Sequence, residues 1–586
     1  MLTKPPSIDP FLLVSRPHGL ARWMPIIAVL RNYKLPWLIQ DIVAGLVLTA
    51  ILIPAGMGYA QAAGLNAIYG LYATIIPLIA YAIFGPSRIL VLGPDSALIP
   101  LISATVLPLA NGDPLRAIAI AGMLSILSGG MCIIAGLLKF GFITDLLSKP
   151  IRYGYLNGIA ITVLVSQLPK VFGFKVNGNG IWEELLEFTQ GIHEGKTNPT
   201  ALAIGLSCLT IILVLRRLAP KVSGILVAVI VATVVSALWD LEQRSGISVT
   251  GALPQGLPTF QIPIIAPIKF NTLFSSALAI ALVSYADLSV LSRTFAIRGG
   301  YKTDRNQELI ALGVANISAG LFQGFSVSSS ASRTPVAEAA GAKTQITGVV
   351  GAISIAIILW FAPTLLQDLP QAALSAVVIA AALSIFEIKG TIRLYKLRKF
   401  EFVLSIVCFC GVTLLGVIQG IFAAVILALL AFVWSAWRPH YAVLGRIDGI
   451  KGYHDVSRHP EARQIPGLVI FRWDAPLFFA NAETFCERVM QAVITAPTTT
   501  KWVLVAAEPV TDIDITAADA IAELDKTLCK SHIELCFAEM KGPTKDRLKR
   551  YGLFTKIGKD DFFPTIGQAV DVYLEVNKIE WHDWND

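Results

Sequence analysis

Three charged side chains sit in apolar surroundings, and a run of serines leads into one of them. Arg333 follows Ser328, Ser329, Ser330, Ala331 and Ser332, at the head of a short segment of small residues that also carries Glu338. Asp95 and Ser96 open a segment interrupted by Pro100 and Pro108. Asp287 lies within the apolar stretch Ala281–Val290. An arginine fork holds an oxyanion through two parallel hydrogen bonds, and serines ahead of a helix supply capping and ligand hydroxyls without bulk. A helix start near Pro94 and another near Ser332 would each present unpaired backbone N–H groups and about half a positive charge. Two such starts face to face make a cage of donors for an anion. The candidate substrate contacts are Asp95, Ser96, Ser330, Ala331, Ser332 and Arg333, with Ala55 and Tyr59 (and Met57) as wall residues from the first apolar span.

Two acids complicate this picture. A carboxylate in an apolar span must carry a proton or sit against a cation, which makes Asp287 the candidate site for a coupling H⁺ or Na⁺. No other metal site is read. The competing assignment makes Asp287, or Glu338, a structural counter-ion for Arg333. Asp95 is a good helix cap but would repel an anion bound beside it. It is protonated during binding, or it turns toward a cation, or the anion lies elsewhere.

The elements that must hold these groups are membrane helices. Of 586 residues, 55% are hydrophobic and 15% charged, with a mean hydropathy of +0.66; a soluble chain is nearer a quarter charged. The net charge of +7 reflects Lys and Arg beside apolar spans and does not point to nucleic acid. No cleavable signal peptide is read near residues 25–30, and the seven cysteines show no disulfide or zinc spacing. Apolar segments fall at 42–63, 68–84, 94–109, 116–138, 151–171, 199–215, 220–239, 274–296, 307–325, 332–342, 346–363, 370–387, 402–418 and 420–437. Most can cross roughly 30 Å of hydrocarbon, which takes about 20 helical residues. The third and tenth are short or broken, and they hold matching places in two halves of seven. That is the mark of a transporter site built on an inverted repeat. Lys149 with Arg152, Arg216 with Arg217 and Lys221, Arg298 with Lys302 and Arg305, and Arg393 with Lys396, Arg398 and Lys399 follow even-numbered segments, which predicts cytoplasmic termini. From Pro439 onward, strand-like runs at 467–473, 502–507 and 533–538 alternate with helical patterns at 482–494, 516–530, 543–551 and 565–577, predicting a small α/β domain. The expected division is 1–37 as a cytoplasmic N-terminal segment, 38–438 as the transmembrane part and 439–586 as the soluble domain.

The stretch Ile53, Pro54, Ala55, Gly56, Met57, Gly58, Tyr59, Ala60, continuing to Gly64, Leu65 and Tyr69 to Tyr72, resembles the signature of the sulfate permease family, solute carrier family 26. Asn306 to Leu309 with Gly313, Ala315 and Asn316, and Ser332 to Thr334 with Gly341 to Thr344, resemble it too. The soluble part is similar to a STAS domain at Asp474 to Asn481 and Thr511 to Asp514. The resemblance runs from about 38 to 577. It implies fourteen helices as a seven-plus-seven inverted repeat, with a core and a gate as in uracil permeases, and usually a homodimer. By position it implies a pocket of Ala55, Tyr59, Asp95, Ser96 and Ser330 to Arg333, with Asp287 tied to ion coupling. Ala55 stands where the family commonly has Gln, so one pocket hydrogen bond is missing. Ile515 stands where related bacterial domains carry a phosphorylated serine, so no phosphoswitch is carried over.

The expected function is secondary active transport of a small inorganic anion by H⁺ or Na⁺ symport in the plasma (inner) membrane. Sulfate is the first expectation and bicarbonate the second. A passive channel or chloride/anion exchanger and a membrane-tethered signalling scaffold are the other classes considered. No cofactor is expected, and no nucleophile, base and orienting group assemble anywhere, so an enzyme is not expected.

Overall fold

The computed structural model describes residues 23–142, 149–176, 181–219, 223–264 and 270–581. Residues 1–22 of the expected N-terminal segment and Lys221 of the orientation argument lie outside them. The described residues form two compact units that divide between Ala428 and Leu429.

The first unit is helical. Its membrane helices are α1 Leu35–Ala62, α2 Ala67–Phe84, α3 Ile99–Ala110, α4 Pro114–Leu137, α5 Lys149–Val171, α6 Pro199–Leu218, α7 Gly224–Trp239, α8 Phe270–Arg298, α9 Arg305–Leu321, α10 Arg333–Ala339, α11 Ile346–Phe361, α12 Gln371–Ile385, α13 Lys399–Leu415 and α14 Val417–Trp437, the last running across the division. Each overlaps one of the fourteen apolar segments, several starting a few residues earlier. Among the described residues, seven helices are long and apolar enough to cross a membrane unaided. Local chemistry sets several starts. Asp113 accepts the N–H groups of Leu115 and Arg116 ahead of Pro114, Asn198 those of Thr200 and Ala201 ahead of Pro199, and Asp304 those of Asn306 and Gln307. Each meets donors that the helix itself cannot satisfy. The long connections also contain helices that the apolar segments did not reveal, Ile181–His193 and Ile388–Leu397, both amphipathic.

Packing reveals the repeat. α4 lies along α9 as α11 lies along α2; α1 packs on α11 as α8 packs on α4; α5 packs on α13 as α12 packs on α6. A shift of seven maps each pair onto its counterpart, and α2 with α9 and α5 with α12 map onto themselves. The helices thus sort into a core, α1–α4 with α8–α11, and a gate, α5–α7 with α12–α14. Small residues let the core helices close up: a methyl on Gly129 would lie 2.6 Å from the Gly313 carbonyl, and one on Gly313 2.5 Å from that of Gly129. Without a hydrophobic drive in lipid, such close packing and buried polar bonds carry the association. Two buried carboxylates add to it. Asp41 on α1 accepts from Lys343 N (2.7 Å), Thr344 N (3.1 Å), Thr344 Oγ1 (2.6 Å) and Thr347 Oγ1 (2.9 Å). Glu308 on α9 accepts from the Tyr81 (2.6 Å), Ser87 (2.5 Å) and Ser292 (2.5 Å) hydroxyls. Two of the family-like motifs therefore do structural work.

The second unit is an α/β domain. After two short strands of the first unit, β1 Leu92–Gly93 and β2 Ser328–Ser329, the strands β3 Tyr441–Arg446, β4 Tyr453–Asp455, β5 Leu468–Trp473, β6 Trp502–Ala506, β7 Glu534–Ala538 and β8 Phe562–Phe563 form one sheet in the order β4-β3-β5-β6-β7-β8. β3 is antiparallel to both neighbours, and β5 to β8 run parallel. On β5, Val469, Phe471 and Trp473 pack in one apolar layer while Leu468 and Ile470 pack in the other. That is the period of two for a strand buried on both faces. α15 Ala482–Ile494, α16 Ile515–Lys530 and α17 Gly542–Arg550 follow β5, β6 and β7, and α18 Ile566–Asn577 follows β8. β3, β4 and β8 were not legible in the sequence pattern.

Candidate functional site

The two broken segments meet. Ahead of α3 and α10 the chain runs extended as β1 Leu92–Gly93 and β2 Ser328–Ser329, and these pair antiparallel with Leu92 opposite Ser329 and Gly93 opposite Ser328. Ser330 N extends the pairing to Val91 O at 3.0 Å. Non-helical backbone at membrane depth survives because each strand satisfies the other. Matching residues then start each half-helix. Asp95 Oδ1 accepts Ala97 N (3.1 Å), and Ser330 Oγ accepts Arg333 N (3.2 Å) while facing Ser332 Oγ at 3.2 Å. Asp95 therefore closes the turn ahead of α3 and is not its N-cap, which is Leu98 and has no side-chain cap bond. α10 has only seven residues, so less of the site's positive potential comes from its backbone and more from Arg333.

Arg333 is 1% exposed. Its Nη2 donates to the Pro94 carbonyl and lies 4.0 Å from Asp95 Oδ2. Its Nε and Nη1 are buried with no hydrogen-bond partner among the described residues. Gly93 gives the fork room, since a methyl there would sit 3.0 Å from Nη1. A buried guanidinium held by one carbonyl and one distant carboxylate is incompletely solvated, and filling its two empty donors is worth several hydrogen bonds. Glu338 is not its partner; Glu338 pairs with Arg298 at 3.3 Å.

Tyr59 is buried beside Asp95, Ser96 and Arg333. Ala55, one turn before it, packs in the same layer as Ala97 and Leu98. Met57 faces away, in a layer with Ile68 and Leu71. Ser96 and Ser330 are buried, whereas Ala331 and Ser332 are exposed. Ser328 donates to the Ser284 carbonyl of α8 at 3.0 Å, and the Ser329 hydroxyl is buried without a partner among the described residues.

Asp287, 9% exposed on α8, lies near Asp95. Its charge partner is Arg152 of α5, with Nη2 3.7 Å from Oδ1. The sequence counted Arg152 only among the basic residues that follow the fourth segment, for orientation. It stands in the first turn of α5, and its long stem carries the charge to Asp287. Spacing held the missed signal: Arg152 and Tyr155 are three apart and share one helix face.

In the α/β unit, Asp514 caps α16 by accepting Ala517 N (2.8 Å) and also holds Phe479 N (2.8 Å), while Arg547 pairs with Asp512. Ile515, at the first helical position, is 60% exposed. Glu534, Cys536 and Asp561 gather at the sheet edge, where burial and then the Glu534 carboxylate push Asp561 up to about 7.

Comparison with known proteins gives the chain its relatives. Residues 38–408 match the sulfate permease family and residues 459–569 the STAS domain. The chain is 38% identical to the probable sulfate transporter MT1781 of Mycobacterium tuberculosis, over 94% of this chain and 98% of that one. Its fold is similar to that of the murine solute carrier 26 family member A9 anion transporter in the inward-facing state, with a TM-score of 0.88 at 22% identity, covering 96% of both chains. It also resembles the transmembrane domain of the cyanobacterial bicarbonate transporter BicA, with a TM-score of 0.58 at 21% identity, covering 68% of this chain and 98% of that one. The chain is a multi-pass membrane transport protein with a C-terminal STAS domain, and it belongs to the sulfate permease family.

Proposed function

We propose that this protein is a secondary active transporter of a small oxyanion, sulfate first, which it binds at Arg333 and drives by cation symport. The observation that carries the reading is the pair of buried nitrogens on the Arg333 fork that have no hydrogen-bond partner among the described residues, at the meeting of two broken segments. Tyr59, Ser96, Ser329 and Ser330 supply neutral hydroxyls around it, and neutral donors suit an anion that must also leave. Alternating access then consists of the core, which carries β1, β2 and both half-helices, moving against the gate. The name of the mycobacterial relative supports sulfate. Asp287 supports the coupling step: a proton or sodium ion there offsets the charge carried in with the anion. The transporter acts as a homodimer in the plasma (inner) membrane with both termini cytoplasmic, and residues 38–438 carry transport while 439–586 regulate or stabilise it.

Bicarbonate is the second reading, favoured by one observation. Asp95 stands 4.0 Å from Arg333, so the pair is neutral while Asp95 is ionised, and a singly charged anion meets less repulsion than a doubly charged one. Competition tests both: excess unlabelled sulfate should suppress labelled sulfate uptake into proteoliposomes far better than bicarbonate. The opposite order would replace sulfate with bicarbonate, and no saturable uptake of either would refute the site.

A further inference from the structure

The Arg333–Asp95 pair lies wholly within the core, whereas the Arg152–Asp287 pair crosses from gate to core. α5 packs on α12 and α13 of the gate; α8 packs on α3, α4, α9 and β2 of the core. The groups facing Asp287 are Arg152 and Tyr155 from α5 and Asp95 from the start of the α3 segment. The contact is incompletely satisfied. At 3.7 Å it is an ion pair and not a hydrogen bond, Arg152 Nε has no hydrogen-bond partner among the described residues, and neither does the buried Tyr155 hydroxyl one turn on. A pair built for stability alone satisfies those donors.

We infer that Arg152 is a tethered stand-in for the coupling cation. In this conformation its guanidinium occupies the charge position at Asp287 that a mobile cation must take, and movement of the core relative to the gate withdraws it. The inference rests on the reading of Asp287 as the coupling site. It adds an interlock: Asp287 is neutralised by the gate in one position of the core and by the cargo cation in the other, so the core does not cross with the carboxylate ionised and bare. The guanidinium also displaces the cation on the side where it must be released.

The test compares wild type with Arg152→Gln and Arg152→Lys, each reconstituted in liposomes after size-exclusion analysis shows a single species. Initial anion uptake is measured against Na⁺ at fixed pH and against pH at fixed Na⁺, together with anion exchange at saturating cation. Removing a charge at this range changes affinity for a competing cation by about tenfold or more. Arg152→Gln is expected to lower the half-saturating concentration of the coupling cation about tenfold, and to slow net uptake more than exchange. Arg152→Lys keeps the competing charge and is expected to stay within about threefold of wild type. A cation-dependent wild type whose half-saturation is unchanged in Arg152→Gln overturns this inference and leaves the coupling reading standing. A wild type indifferent to both cations removes the coupling reading and the inference together. Should Arg152→Gln fail to assemble, equal cation affinity in Arg152→Lys and Arg152→Ala overturns the inference in the same way.

Discussion

Arg333→Gln removes the fork and its charge and leaves a shorter, neutral amide. In the protein the fork has two jobs, offering Nε and Nη1 to the site and opposing the charge of Asp95 at 4.0 Å. A hydrogen bond to a charged group contributes about 1.5–3 kcal/mol net, so losing two costs roughly 3 kcal/mol or more of anion binding, at least a hundredfold in Kd. The second job adds to the loss, because the carboxylate then faces the anion unopposed; at an effective dielectric of about 20, two charges 4 Å apart interact by about 4 kcal/mol. The effects separate in a double-mutant cycle. Asp95→Asn added to Arg333→Gln should recover part of the affinity, while Asp95→Asn alone should tighten anion binding. The assay is equilibrium binding of labelled sulfate to purified protein, with bicarbonate as competitor. A Kd within twofold of wild type in a folded Arg333→Gln variant would refute the placement of the anion at Arg333.

Other perturbations reach different parts of the account. Asp287→Asn should abolish cation-driven accumulation while anion exchange persists, measured as the steady-state anion ratio across proteoliposomes; full accumulation would reject the coupling role. A methyl on Gly70 would collide with the Gly56 carbonyl of α1, so Gly70→Ala should destabilise the core by about 1–3 kcal/mol, seen as a lower Tm in detergent. In the STAS domain the native state holds a proton on Asp561 up to about pH 7, whereas an unfolded chain releases it near 4. The folded state then binds more protons between these values, so stability falls as pH rises from about 4 to 7. Asp561 is partly exposed, so the whole change is about 1 kcal/mol after screening; Asp561→Asn should flatten the STAS unfolding midpoint against pH.

The helices were legible because lipid demands long apolar runs, and the broken third and tenth segments stood out because they lack them. Pro100 and Pro108 marked one, and the serines before Arg333 marked the other. The register of β1 against β2 was not legible, since two-residue strands carry no period. Nor were β4 and β8, which are short edge strands, or β3, which has six residues and lies next to the edge. Around the site, Arg333, Asp95, Tyr59 and Ser330 come together because half-helix starts impose it. The partner of Asp287 escaped because an ion pair between helices far apart in sequence leaves no local trace, and Arg152 looked like one more basic residue beside a loop. Glu308 shows the opposite case: it lies in a family-like motif yet ties helices together away from Arg333.

Labelled sulfate uptake into proteoliposomes, with Na⁺ and H⁺ gradients imposed one at a time, tests the transport claim most directly. Concentrative sulfate accumulation under one of the two gradients, lost in Arg333→Gln, is the predicted result. Uptake that merely equilibrates under both gradients, or that Arg333→Gln carries as well as wild type, would contradict it.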